Sequence, residues 1–401
     1  MSFRAPKGTD DVLPPASLVW RELLAAWEDH ASRFGYPPAF TPIFEATDLF
    51  ERGTGDATDV VQKQMYTFQD RGNRSLTLRP EGTPGVMRAY LASGGRGITK
   101  VSYSGPMFRY EQPQAGRRRQ FWQLGVEYLG TPSPVADVEV IELGFAYLVA
   151  VGPTPEVRIN SLGDQVCRPA YLDMLRAFLN ERRERLCEDS LARIETNPLR
   201  VLDCKVCGPE LLDAPAMVDH LCDECGAHHR AVLHGLEALG IAFVSDHRLV
   251  RGLDYYTRTA FEYIATGLDA AQNAVGGGGR YDGLAEALGG PPVAGVGFAL
   301  GLDRIILASG RTPGATVGIF LVGDGVRVGE LMGLASELRG AGATVDFDPD
   351  ERSIKAQFRA AGRSGASMIL VLRPEGIEVR RAGTSTNLSR EEVVSMVKEG
   401  R

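Results

Sequence analysis

From Gly105 to Gly130 strand-like apolar runs alternate with a polar, basic tip, and the segment reads as a long hairpin. YSGPMFRYE leads in, QPQAGRRR turns, and QFWQLGVEYLG returns. Alternation in an antiparallel pair lets Arg109, Glu111, Gln123 and Glu127 project from one face. A face with an arginine, two carboxylates and an amide is costly to desolvate unless a polar ligand meets it. The alternative is a solvated sheet face with three arginines exposed at its turn.

Elsewhere the period changes. Residues 1–15, with several Pro and Gly, should wrap an edge. Leu18, Trp20, Leu23, Leu24, Trp27, Ala31 and Phe34 recur at helical spacing, and the helix stops at Gly35 and Tyr36-Pro37-Pro38. FTPIFE reads as an extended run whose Pro42 places it on an edge or at an interface. MYTFQD and SLTLRPEGT form a second hairpin around Arg71-Gly72-Asn73, and Thr83–Leu91 looks helical. Val135–Val151 reads as an amphipathic helix and VRINSLG as a strand. Residues 165–240 are helix-rich and charged, and look like an insertion. Strand character returns in AFVSDHRLVRGLDYYTRTAFEYIA, NAVGGGGRYDGL reads as a glycine-rich turn, and GVGFALGLDRIIL as strand then helix.

A linker around Gly310 and Thr312-Pro313-Gly314 precedes a final unit. TVGIFLV, ATVDFD, SMILVL and GIEVRRA are strand-like and alternate with helical segments, which predicts a small, mostly parallel sheet. The expected domains are 1–312, carrying the insertion, and 315–401.

The chain of 401 residues has room for two to three domains, and 44% hydrophobic with 24% charged residues fits an ordinary globular protein. No apolar run approaches the roughly 20 residues a membrane helix needs, and the N-terminus lacks a signal-peptide core, so a cytoplasmic protein with no membrane partner is expected. A net charge of -7 argues against a general nucleic-acid or DNA binder, but leaves room for local basic patches. Of six cysteines, Cys204, Cys207, Cys222 and Cys225 form a C-x2-C-x14-C-x2-C pattern that suits a closed, structural tetrahedral zinc. The alternative is four reduced cysteines without metal. Cys167 and Cys187 read as small apolar residues.

Arg109, Arg251 and Arg304 stand in polar contexts. Guanidinium groups clamp phosphates bidentately and stay charged when desolvated, as phosphoryl or nucleotidyl transfer requires. Each alone reads as a structural ion pair. Together with carboxylates suited to Mg2+ and a glycine-rich turn, they point to a triphosphate site. The chain has neither a P-loop signature nor a dinucleotide-binding G-x-G-x-x-G, so the nucleotide is expected on an antiparallel sheet.

At this point the chain resembles the class II aminoacyl-tRNA synthetases, and specifically the bacterial-type histidyl-tRNA synthetase family. FTPIFE resembles motif 1, the dimer-interface segment. FRYEQPQAGRRRQFWQLGVE resembles motif 2, and GVGFALGLDR resembles motif 3. RGLDYYTRTAFE (251–262) and GGGGRYDGL (276–284) resemble the signatures that set histidyl enzymes apart, and LRPEGT (78–83) the amino-acid-binding segment. The six motifs stand in the right order, and the resemblance covers nearly the whole chain, including the C-terminal domain. The fold implied is an α+β class II synthetase catalytic domain on a mixed, mainly antiparallel sheet with a helical insertion, followed by a small α/β anticodon-binding domain.

The resemblance implies ATP-dependent activation of L-histidine to histidyl-adenylate, then transfer to the 3′ end of tRNA(His), by a homodimer using ATP and Mg2+. Glu81, Thr83 and Gln123 would hold the α-ammonium, and Glu127 and Tyr256 would read the imidazole. Tyr255 and Tyr281 would line the pocket. Arg109 would bind the α-phosphate and the substrate carboxylate, with Arg251 opposite it. Glu111 would meet the adenine, and Arg117 and Arg304 the γ-phosphate end. Arg118 and Arg119 would meet the tRNA acceptor end, and Arg352, Lys355 and Arg359 could face the anticodon stem. The six histidines lie outside every motif, so no histidine general base is expected. The cysteines are not carried over by the resemblance. A competing reading is a histidine-sensing regulatory subunit of ATP phosphoribosyltransferase, whose ATP-binding motifs should be eroded; here the three arginines are intact.

Overall fold

The computed structural model describes residues 3–55, 58–265, 268, 273–314, 317–350, 352–381 and 383–399. The chain opens with α1 (Ala16–Arg33), β1 (Phe44–Ala46), α2 (Thr47–Thr54), β2 (Tyr66–Gln69), β3 (Ser75–Leu78) and α3 (Thr83–Ala92). The long hairpin is β4 (Thr99–Phe108) with β5 (Gln120–Leu129), followed by α4 (Pro134–Val151) and β6 (Pro155–Ser161). The insertion supplies α5 (Arg168–Asn180), α6 (Glu188–Thr196), α7 (Leu199–Leu202) and α8 (Asp223–Ala238). Next come β7 (Phe243–Ser245), β8 (Thr257–Ala265), β9 (Ala274–Arg280), α9 (Leu284–Ala287), β10 (Gly295–Gly301) and α10 (Leu302–Ser309). The last segment holds β11 (Ile319–Gly323), α11 (Val328–Gly340), β12 (Val345–Phe347), α12 (Ile354–Ser364), β13 (Met368–Arg373), β14 (Gly376–Arg381), β15 (Thr384–Leu388) and α13 (Arg390–Lys398). Residues 1–11 with 22–311 form one compact unit, and 12–21 with 312–401 form another.

The first unit is built on a seven-stranded sheet in the order β4-β5-β10-β9-β8-β6-β7, beside a small sheet β1-β3-β2. Every pairing in the large sheet is antiparallel except β6 with β7. Ser133 caps α4 by accepting the Val135 N–H at 3.3 Å, Pro134 supplies its first turn, and Gly152 (φ 135°) ends it. Met87, Met107, Tyr103, Tyr256, Tyr281 and Leu284 form a core at this sheet. The insertion has a core of its own, with Tyr171, Leu175, Leu179, Ile194 and Val201 buried. Each such side chain contributes about 1.5–3 kcal/mol by leaving water.

The GGGG run is not a turn. It is the middle of β9, paired on both sides by β8 and β10. Alternation cannot reveal a strand whose side chains are missing, and here they are missing for a reason. A Cβ at Gly277 would lie 2.8 Å from Nη1 of Arg251, and one at Gly279 2.8 Å from Cδ1 of Tyr256. The strand is bare so that side chains can lie across it. FTPIFE likewise pairs only from Phe44 onward, against β3.

The second unit carries the sheet β12-β11-β13-β14-β15. Only β11 with β12 and β13 is parallel; β13, β14 and β15 run antiparallel. The expected mostly parallel sheet is therefore a mixed one. Pro374 and Glu375 alone join β13 to β14, and a two-residue link closes a hairpin but cannot hold a parallel crossover. The strand β15 (TSTNL) has no apolar alternation and was silent in the sequence.

Candidate active site

Four strands, β5, β10, β9 and β8, form the floor of a cleft in the first unit, with the turn after β3 and the tip of the long hairpin as its walls. Of the predicted residues, Glu81, Thr83, Arg109, Glu111, Arg117, Arg118, Gln123, Arg251, Tyr255, Tyr256 and Arg304 line this one cleft. Gln123 and Glu127 share a face of β5, whereas Arg109 and Glu111 follow the end of β4 rather than standing within it. Glu127 lies beneath the lining. It is opposite Gly297 of β10, whose missing side chain makes room for its carboxylate.

One end of the cleft is a buried acidic pocket. Thr54 and Tyr255 donate to the two oxygens of Glu81, each at 2.7 Å. Thr83 donates to Glu127 at 2.7 Å, and Tyr281 donates to its other oxygen. Burial raises the pKa of both carboxyls despite these donors and pushes Glu127 up to about 8. The ring of Tyr255 lies 4.6 Å from that of Tyr256 and 5.7 Å from that of Tyr281.

The other end is cationic. Arg109 donates to the Pro80 carbonyl at 2.9 Å and sits over the Phe121 ring at 5.4 Å. Arg304 donates to the carbonyls of Gly116 (3.1 Å) and Ala274 (2.6 Å), which orients it across the cleft floor. Burial lowers its pKa first, and the charges of Arg117 and Arg109 lower it further, so these guanidinium groups share one field. Arg117 pairs with Glu111 at 3.5 Å, and Arg251 pairs with Glu262. Burial opposes the charge on Arg251, but Glu262 and Tyr256 outweigh it and hold its pKa above the usual value.

Three buried polar atoms in this cleft lack a hydrogen-bond partner among the described residues: Oε1 of Gln123, Oη of Tyr103 and Nε of Arg251. Buried polar groups are nearly always paired, and three orphans in one cleft mark where a ligand supplies the missing partners.

Glu262 and Asp303 line the cleft as well and were missed in the sequence. Asp303 accepts from the Trp122 N–H at 3.2 Å and pairs with Arg118 at 3.3 Å. Both stand in the quoted runs RTAFE and GLDR, which was the available signal. Arg118 also pairs with Asp10, while Arg119 stacks on Tyr110 with 3.7 Å from guanidinium to ring centre. Arg352, Lys355 and Arg359 are exposed in the second unit; Arg352 precedes α12 and pairs with Asp348 at 2.7 Å.

The four paired cysteines do not converge. Cys204 and Cys207 cluster with Cys187, and Cys222 and Cys225 with Cys167 and Asp164, so the expected four-thiolate set is corrected to two separate groups. Sequence spacing could not tell that each pair takes its partners from upstream in the chain.

The family model described as histidyl-tRNA synthetase matches residues 8–305, and one described as an anticodon binding domain matches 316–400. A protein named histidine--tRNA ligase from Halothermothrix orenii is 45% identical, over 99% of this chain and 97% of the relative. One of the same name from Mycolicibacterium vanbaalenii is 48% identical, over 98% and 95%. The structure of apo S. aureus histidyl-tRNA synthetase is 34% identical with a TM-score of 0.80, over 99% of this chain and 100% of that one. With full-length similarity and both domains matched, the chain belongs to the histidyl-tRNA synthetase family.

Proposed function

We infer that the chain activates L-histidine with ATP to histidyl-adenylate and transfers the histidyl group to the 3′ end of tRNA(His). Supporting this most is one arrangement: a buried acidic pocket and a wall of five arginines meet in a single cleft. Identity of 45% and 48% with proteins named histidine--tRNA ligase, together with the anticodon-domain match, favours tRNA charging over a regulatory subunit.

In this reading Glu81, Thr83 and Gln123 take the α-ammonium, and Gln123 supplies an acceptor that has no other partner. Glu127 and Tyr256 read the imidazole, while Tyr255 and Tyr281 close the pocket around it. A carboxyl poised at about 8 pairs with an imidazole in either protonation state. Arg109 and Arg251 hold the carboxylate and the α-phosphate for in-line attack. Charge builds on the α-phosphoryl oxygens as pyrophosphate leaves, and preorganised guanidinium donors stabilise it. Glu111 meets the adenine, and Arg117 with Arg304 takes the γ-phosphate end. For the second step Arg118 and Arg119 are the side chains proposed to meet the acceptor end of the tRNA, exchanging their present partners for phosphate.

Mg2+ fits the donors at hand. Carboxylates Glu111 and Glu262 line the cleft, and no cluster of three ligating side chains occurs there among the described residues. That donor set suits an ion carried in on ATP phosphates and neutralising their charge.

We assign catalysis to residues 1–312, with the insertion at about 165–240, and anticodon binding to 315–401. No described helix is long and apolar enough to cross a membrane. A homodimer built on FTPIFE is supported by the exposure of Phe40 (89%), Ile43 and Phe44, with the Phe68 ring 6.4 Å from that of Phe44, and a cytoplasmic location is proposed with it. The test is amino-acid-dependent ATP–pyrophosphate exchange across all twenty amino acids. Exchange with histidine alone is expected. Histidine binding without exchange would restore the regulatory reading.

A further inference from the structure

We propose that Asp164, Cys167, Cys222 and Cys225 form a structural zinc site that joins the entry of the helical insertion to its last helix. Their ligand atoms already lie within 4.8 Å of one another. Tetrahedral zinc with bonds of about 2.3 Å sets its sulfurs about 3.8 Å apart, so closure asks for shifts of only about 1 Å. The two halves are D-x2-C and C-x2-C, each a short turn that presents two ligands to one point.

The backbone prepares both halves. Cys167 precedes the first turn of α5, Cys222 precedes that of α8, and Cys225 lies within the first turn of α8. Oδ1 of Asp164 accepts from the Val166 N–H at 3.0 Å and lies 3.6 Å from Sγ of Cys167. Oδ2 is held by Arg258 at 3.3 Å. Arg258 thus orients the carboxylate from behind and offsets the net negative charge of three thiolates, one carboxylate and a dication. The same residue pins the preceding loop, since its N–H donates to the Gly163 carbonyl at 2.7 Å and its own carbonyl accepts from Leu162 at 2.6 Å. It does so at φ 51°, a conformation that costs a non-glycine residue energy.

Cys225 is fully buried and Cys167 nearly so, and four protein ligands leave no open position. The site is therefore structural. Binding releases the three thiol protons to solvent as three Zn–S bonds form, without redox change. The second cluster differs. Cys187, Cys204 and Cys207 offer three sulfurs, with Cys187 Sγ 3.7 Å from that of Cys204, and no fourth ligating side chain joins them among the described residues.

The experiment measures zinc by elemental analysis in the full-length protein purified and dialysed under reducing conditions. One zinc per chain is expected, falling to about a tenth or less in Cys222→Ser and surviving in Cys204→Ser. Asp164→Asn should weaken retention against a chelator. Cobalt substitution of the wild type supplies a readout that needs no variant to fold: intense tetrahedral d–d bands with thiolate charge transfer are expected. Wild-type protein that neither retains zinc nor takes up cobalt with its thiols reduced would overturn the site. So would zinc that survives Cys222→Ser and is lost in Cys204→Ser.

Discussion

Two buried charge networks stand on neighbouring strands, and they are finished to different degrees. Arg280 at the end of β9 pairs through two nitrogens with Asp137, donates to the carbonyls of Thr131 and Ser133, and pairs with Asp282. His228 meets the same carboxylate at 3.2 Å. Arg280 and Asp137 are wholly buried, and the charges cancel locally. Across β9 the cleft holds Arg251 with an orphaned Nε, Gln123 with an orphaned Oε1, and two carboxyls held above their usual pKa. The first network is complete within the protein and the second is complete only with its substrates. Both arginines come from motif-like sequence, so the motif does not say which is which. The pairing does.

The largest expected effect that separates the networks is on rate. Arg251→Ala should lower histidine-dependent pyrophosphate exchange by about 10²–10³-fold, because a transition-state donor is lost, with a smaller loss of stability from leaving Glu262 unpaired. Asp137→Ala should do the reverse. It removes the buried carboxylate that neutralises Arg280, and stability should fall by about 3–5 kcal/mol in denaturant titration while the folded fraction still exchanges. Gly277→Ala couples the two kinds of loss. Its Cβ would stand 2.8 Å from Nη1 of Arg251 and 2.5 Å from the Phe261 carbonyl. Exchange should drop about tenfold and stability by about 1–3 kcal/mol.

The smallest effect is on pH dependence. The folded-state pKa of Glu127 is raised to about 8, so the empty protein binds its proton more tightly than the unfolded chain does. That contribution is full below the unfolded value of 4.5 and is lost as pH rises through about 8. Glu81 acts in the same direction. Glu127→Gln should therefore flatten the fall of the thermal midpoint between about pH 5 and 8, measured without ligand.

Much of this was legible in the chain. The long hairpin announced itself as two strand-like runs on either side of a polar, basic tip, and Arg109, Glu111 and Gln123 do line one cleft, with Glu127 beneath them. The glycine strand β9 was not legible, since a strand made bare for Arg251 and Tyr256 carries no alternation. Arg280 passed unnoticed because its buried partner Asp137 comes from α4, far away in sequence. Glu262 was hidden as one polar position in a strand. The cysteines were visible but their grouping was not: Asp164 and Cys167 stand far upstream of Cys222 and Cys225, and nothing local marks them as companions.

Calorimetric titration with L-histidine tests the contrast most directly, with wild type, Gln123→Ala and His228→Ala side by side. The account predicts that Gln123→Ala weakens binding about 10–100-fold, because a charge-assisted hydrogen bond to the orphaned acceptor is lost, while His228→Ala binds as wild type does at a lower thermal midpoint. Wild-type affinity in Gln123→Ala, or lost affinity in folded His228→Ala, would contradict it.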